Sequence, residues 1–162
     1  MPVIHLKNQG VFMIPGLKID RKTEKNILNA FSKWATHFNK RFKKFGMEGL
    51  IKEYTKLIET HETQSCYHGS KGTLNTGESF QYCCGVSYEY INDLSCRDAL
   101  QIIIDLLPPD ESIRLNALIS TLDNRLQRLQ VNEEFFLNEN EIKKYPKEKF
   151  WWFYGLPISV KP

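Results

Sequence analysis

The sequence has few cysteines, few histidines and no long apolar run. It contains four cysteines and four histidines among 162 residues. Its first residues lack the basic region, the long apolar stretch and the small-residue cleavage site of a secretory signal. We therefore expect free thiols in a reducing cytoplasm. The longest aromatic run, at 150–154, is far shorter than the roughly 18 apolar residues of a spanning helix, so no membrane segment is expected.

Paired metal ligands are also missing. A structural zinc site usually has two pairs of ligands, with two to four residues between the members of each pair. Cys66 and His68 are too close for such a pair, and neighbouring thiols at Cys83 and Cys84 would point to opposite faces of a strand. In the stretch HETQS at 61–65, a serine stands where a zinc protease has its second histidine. The sequence therefore predicts no metal and no cofactor.

One glycine-rich stretch, HGSKGT at 68–73, offers a catalytic arrangement. Its order Lys71-Gly72-Thr73 differs from that of a phosphate-binding P-loop. His68 and Lys71 are suited to phosphodiester cleavage, with His61 as a second base, and the competing interpretation is a plain loop. No Ser-His-Asp or Cys-His spacing stands out, and few histidines are available for acid–base chemistry. We expect a protein that is not an enzyme, and we keep a small phosphodiester-cleaving enzyme as the third hypothesis.

Charge is distributed unevenly along the chain, although the net charge is only +3. Residues 18–44 contain nine Lys or Arg and two acidic residues, whereas residues 89–141 contain eleven acidic residues and four Arg. This separation predicts two faces of opposite charge, and it argues against a surface that attracts nucleic acid everywhere.

The basic stretch has two interpretations. Lys40, Arg41, Lys43 and Lys44 alternate with phenylalanines, as in a surface that binds nucleic acid. The alternative function is therefore a nucleic-acid-binding or regulatory module that uses the basic helix 21–45. In the competing interpretation the lysines are a solvated outer face, and the aromatic side chains belong to the core. The aromatic side chains in question are Phe38, Phe42 and Phe45.

The hydrophobic pattern predicts one α+β domain over 1–162, mainly helical, with about four helices and a small antiparallel sheet. A helix runs from about 21 to 45 behind a Thr23 cap, and Gly46 and Gly49 separate it from a second helix. Ser95 caps a third helix, and Pro109 begins a fourth. The fourth helix carries an apolar stripe of Ile113, Ala117, Leu118, Leu122, Leu126 and Leu129. The predicted strands are 3–6, 11–14 and 80–90.

The aromatic tail is predicted to bend at Gly155 and Pro157. In an extended chain, Trp151 and Phe153 would face one way and Trp152 and Tyr154 the other. One pair would then close the core. The alternative is a Trp152 that faces a partner.

The segment LLPPDESIRLNALISTLDNRL at 106–126, followed by KFWWFYGLP at 149–157, resembles small bacterial immunity proteins. These proteins belong to polymorphic toxin systems, including contact-dependent growth inhibition. The resemblance covers the last third of the chain. It implies a cytoplasmic, non-enzymatic protein that binds and blocks one cognate toxin domain, often a nuclease.

Such a toxin presents a basic cleft, which an acidic surface would cover with fast, steered association. The residues expected to bind the partner are Glu133, Glu134, Glu139 and Glu141, with Phe135 and Phe136 as apolar anchors among them. The competing interpretation is a solvated loop whose two phenylalanines enter the core.

Overall fold

The structure is a computed structural model, and it describes residues 17, 19–63, 87–132, 138–157 and 160. Its main elements are helices α1 (Arg21–Trp34), α2 (His37–Thr63), α3 (Ser87–Leu106) and α4 (Pro109–Leu129). Strand β1 (Gln130–Asn132), helix α5 (Glu139–Ile142), a 3₁₀ helix (Trp151–Phe153) and strand β2 (Leu156–Pro157) follow. The prediction of a mainly helical chain is confirmed. None of the described helices combines the length and the apolar character needed to cross a bilayer.

The chain divides into two compact units. The first comprises Met1–Thr55 and Leu94–Thr121, and the second comprises Lys56–Asp93 and Leu122–Pro162. In the first unit, the largest fully buried side chains are Ile27, Phe31, Phe38, Met47, Leu50, Ile51, Tyr54 and Leu94. In the second unit they are Leu57, Ile58, Tyr90 and Trp152. The prediction of one domain over 1–162 stays a prediction.

The basic stretch forms two helices where the sequence predicted one. Asp20, and not Thr23, caps α1, because its carboxylate accepts a hydrogen bond of 2.7 Å from the Thr23 backbone N–H. The helix ends where Ala35 adopts an extended conformation, with φ −158°. The aromatic stripe continues across this break, since the Phe31 ring lies 5.9 Å from Phe38 and 5.6 Å from Phe42.

Helix α2 is interrupted at Gly46, where the sequence predicted a joint. Gly46 has φ 68° and ψ −169°, a conformation that is open almost only to glycine. Three residues later, a Cβ atom at Gly49 would lie 2.5 Å from the Cβ of Phe45. Both glycines are therefore required by the shape of the joint, one for its backbone angles and the other for a close approach.

Replacing Gly46 with alanine should lower the free energy of unfolding by about 1–3 kcal/mol, because an L-residue is strained at these angles. Urea unfolding followed by circular dichroism measures the loss. Lys52→Ala, at an exposed position of the same helix, is the control and should change stability by less than about 0.5 kcal/mol. Equal stability of the two variants would contradict the glycine requirement.

The predicted small antiparallel sheet is not supported. Residues 87–90 of the predicted third strand belong to α3, and residues 80–86, 3–6 and 11–14 lie outside the described part of the chain. The only strand pairing among the described residues joins β1 to β2, antiparallel and irregular in register, at positions where none was predicted. Helix α3 begins eight residues before Ser95, which lies inside the helix and does not cap it.

Helix α4 begins at Pro109 as predicted, with Asp110 and Glu111 in its first turn, where carboxylates suit the helix dipole. Its buried face differs from the predicted stripe. Ile113 is exposed, and the apolar side chains that are buried lie at Leu115, Ile119, Leu122 and Leu126. These steps of four, three and four follow the helical repeat. Leu122 and Leu126 belong to the predicted stripe, whereas Leu115 and Ile119 were not predicted.

Candidate functional site

The aromatic tail forms a cluster in the second unit, in which Trp152 and Phe153 are buried and the other three rings are half-buried. Trp152 is 0 % exposed, and its ring lies 5.4 Å from Phe150 in an edge-on arrangement. Tyr145 joins the cluster, with its ring 5.2 Å from Phe150 and 4.8 Å from Phe153. Trp151–Phe153 forms a 3₁₀ helix, whereas the sequence predicted an extended chain. The sequence left two roles open for the tail, closure of the core and a Trp152 that faces a partner, and the full burial of the indole favours closure of the core.

One amide side chain holds the tail backbone. Gln130 directly follows α4, and its Nε2 donates to the backbone carbonyl of Trp152 at 3.2 Å and to that of Gly155 at 3.0 Å. The same Nε2 lies 3.4 Å from the Tyr90 hydroxyl. Because buried carbonyls are costly without a partner, these bonds stabilise the tight turn after Trp152. Nothing in the sequence pattern indicates this role, since the position looks like a polar helix end.

Of the residues expected to bind a partner, two lie on a described and exposed element. Glu139 and Glu141 are both exposed in the short helix α5. Asn138 caps this helix, since its side-chain oxygen accepts from the backbone N–H groups of Asn140 at 3.1 Å and Glu141 at 2.9 Å. Glu133, Glu134, Phe135 and Phe136 lie outside the described residues.

The turn with these two glutamates is attached to the aromatic cluster. Tyr145 follows α5, and its backbone N–H donates to the carbonyl of Ile142 at 2.9 Å. The Tyr154 hydroxyl donates to the Tyr145 carbonyl at 2.7 Å. Glu139 and Glu141 are thus presented from a short, capped turn that is fixed to a packed core.

The basic stretch presents a second exposed surface, in the first unit. Lys40, Lys43 and Lys44 are exposed, and none of the three forms an ion pair with another described residue. Arg41, in contrast, pairs with Glu53. The prediction that Phe45 belongs to the core is wrong, because its side chain is 56 % exposed beside the interruption at Gly46.

His61 is a buried base in the second unit. Its side chain is 3 % exposed, and the ring meets the edge of Tyr90 with the two ring centres 5.1 Å apart. Burial lowers the pKa of His61 to about 4, because charging a desolvated imidazole is unfavourable. The imidazole is therefore neutral at physiological pH and removed from any substrate in solution. His68 and Lys71, its predicted catalytic partners, lie outside the described residues.

Glu48, in the first unit, carries a perturbed carboxyl that the sequence did not single out. It follows the Gly46 interruption and is 7 % exposed. Desolvation raises the pKa of Glu48 to about 7. A glutamate between two glycines reads as a surface joint, so composition alone does not reveal this burial.

Metal ligands are not assembled in the described part of the chain. No group of three or more His, Cys, Asp or Glu side chains among these residues is placed to hold a metal ion. Cys96 is a buried free thiol. The other residues weighed as zinc ligands, Cys66, His68, Cys83 and Cys84, lie outside the description.

Comparison with known proteins gives no relative for this chain. No protein-family model, no curated protein and no solved structure matches it.

Proposed function

We propose that the protein is an immunity-type inhibitor that binds and neutralises a cognate bacterial toxin domain in the cytoplasm. The observation that carries the proposal is the exposed pair Glu139 and Glu141, presented from a capped turn fixed to a packed aromatic core. The proposal also rests on the resemblance of 106–126 and 149–157 to immunity proteins, from which the acidic contact was first expected.

A fixed acidic turn suits the inhibition of a basic active site. Binding costs less when the contacting groups are already held in place, because less side-chain and loop freedom is lost on association. In this protein, the Asn138 cap and the hydrogen bond from Tyr154 to Tyr145 hold the acidic turn in place before it binds a partner. Carboxylates on such a turn steer a basic partner and raise its association rate. The protein then acts by covering the toxin and needs no catalytic group of its own.

Co-expression with the product of the neighbouring upstream reading frame tests the proposal. The expected result is that this product alone stops bacterial growth and that the chain restores it. The purified proteins should then form a one-to-one complex in size-exclusion chromatography with light scattering. An upstream product that is harmless, or one that stays toxic and does not bind the chain, would refute the proposal.

The double charge reversal Glu139→Lys/Glu141→Lys should slow association with the toxin domain about tenfold at low salt and leave the unfolding midpoint unchanged. Surface plasmon resonance at several salt concentrations measures the association rate. Glu148→Lys, another exposed glutamate of the same unit, is the matched control and should change the rate much less. Glu133→Lys/Glu134→Lys tests the other predicted acidic residues. Wild-type rates in both double variants would show that the acidic surface is not the contact.

A further inference from the structure

We propose that Lys40, Lys44 and Phe45 form a binding site for single-stranded nucleic acid, which we call the basic–aromatic site. This site lies in the first unit, apart in sequence from the acidic turn. It goes beyond toxin binding and does not depend on it.

The three side chains lie close together on one part of α2. Lys40 and Lys44 are one turn apart, so they project on the same side of the helix, about 6 Å apart along its axis. The Lys44 Nζ lies 4.9 Å from the centre of the Phe45 ring. Because the Lys44 ammonium lies over one face of the ring, a nucleotide can place its base against the other face and its phosphate beside an ammonium group.

The charges of this site are available to a ligand. Neither Lys40 nor Lys44 has an ion-pair partner among the residues that the structure describes, whereas the neighbouring Arg41 is paired with Glu53. An unpaired ammonium group gains more from a phosphate than one that must first leave a carboxylate. Each phosphate that is neutralised also releases counterions, which favours binding at low salt.

The Phe45 ring is largely exposed. With 56 % of its surface in water, the side chain forgoes part of the apolar burial that stabilises a core phenylalanine. Its Cβ lies close to Gly49, where an added Cβ atom would be 2.5 Å away. A base stacked on an open face of this ring recovers apolar burial.

The aromatic ring distinguishes a single strand from other polyanions. Bases in a duplex are stacked on one another, so Phe45 has no base face to contact there. An acidic protein can pair with the two lysines, but it does not need the ring. Two lysines without an ion-pair partner among the described residues, combined with an exposed ring, therefore favour unpaired nucleotides.

Fluorescence anisotropy with a labelled oligothymidylate of about 12 nucleotides tests the site in the full-length protein. Binding should weaken as salt is raised from 50 to 200 mM. Phe45→Ala should raise the Kd at least fivefold, and Phe45→Tyr should keep it near the wild-type value, because tyrosine retains the ring. Phe45→Leu keeps apolar bulk without the ring and should bind like Phe45→Ala. The leucine variant also decides the matter if the alanine variant does not fold.

The lysines are tested through the salt dependence. Lys40→Ala/Lys44→Ala should reduce the slope of log K against log salt by about 1.4, since each phosphate contact on a single strand contributes about 0.7. Lys147→Ala in the second unit removes an exposed lysine that also lies near a ring, 5.9 Å from the centre of Tyr154, and should leave binding unchanged. Equal affinity for a duplex or for polyglutamate, or wild-type affinity of Phe45→Leu, would overturn the proposal.

Discussion

Replacing Trp152 with alanine should lower the free energy of unfolding by about 3–5 kcal/mol, the largest effect expected from any single substitution in the second unit. The indole is 0 % exposed and lies against Phe150, Trp151 and Phe153 at ring-centre distances of 5.4, 5.8 and 6.1 Å. Truncation removes these contacts and leaves a cavity that a tight 3₁₀ turn cannot fill.

A second consequence concerns the backbone. The Trp152 carbonyl accepts from Gln130, so a shift of the 3₁₀ turn to fill the cavity would also strain that bond. The loss on truncation should therefore approach the upper end of the range. Phenylalanine at this position retains much of the ring volume and should lose less than alanine does.

Urea unfolding followed by circular dichroism measures the effect. Trp34→Ala is the matched control, because Trp34 is an exposed tryptophan of the first unit that stacks on one neighbour, Phe38, with the ring centres 5.1 Å apart. Trp34→Ala should lower the free energy of unfolding clearly less than Trp152→Ala does. If both alanine variants lost the same stability, the core role of Trp152 would be refuted. A partner-facing Trp152 would instead leave stability intact and abolish binding.

Local chemistry explains which parts of the fold were predictable. The start of α4 follows from a proline whose missing N–H costs nothing in the first turn, with two carboxylates beside it. The interruption at Gly46 follows from a residue that tolerates positive φ. At both positions, the residue types alone explain the local structure.

The errors arise where tertiary packing decides between two local options. Residues 87–90 alternate large and small side chains as a strand would, yet they are helical and Tyr90 is fully buried. The break at Ala35 has no glycine or proline to mark it. Packing of neighbouring elements supplies that information, and no single stretch of sequence contains it.

The candidate sites show the same limit. Exposure of Glu139 and Glu141 follows from their charge and from a neighbouring asparagine that can cap a helix. Phe45 was expected in the core but is exposed beside the interruption of α2, and a 3₁₀ turn encloses Trp152, for which the sequence left two roles open. Neither backbone detail can be inferred from the hydrophobicity of the residue itself.

Removing the Glu48 carboxylate should make the protein more stable at high pH. Desolvation raises the pKa of Glu48 from 4.5 to about 7. The folded protein therefore holds this proton between about pH 4.5 and 7, where the unfolded chain releases it. The contribution of this protonated carboxyl to the free energy of unfolding is complete below pH 4.5 and is lost as the pH rises through 7. One pKa unit corresponds to about 1.4 kcal/mol, so the loss is at most about 3.5 kcal/mol.

His61 has the opposite effect on stability. Its burial lowers the pKa from 6.5 to about 4, so the unfolded chain binds a proton that the folded protein excludes. The contribution of the neutral imidazole is present above pH 6.5 and is lost as the pH falls through 4. The magnitude is again at most about 3.5 kcal/mol.

Between about pH 4.5 and 6.5, Glu48 lowers the free energy of unfolding as the pH rises, and His61 raises it. The two changes largely cancel in the wild-type protein, so single variants are needed to measure each one. Relative to wild type, Glu48→Gln should gain stability as the pH rises from 4.5 to 7, and His61→Phe should gain it as the pH falls from 6.5 to 4. Free energies of unfolding in urea at pH 4.5, 6 and 8 give the two difference curves. Glu139→Gln removes one exposed negative charge as a control. Because both buried groups act through desolvation, a flat curve for either variant would show that water reaches that side chain in the folded protein.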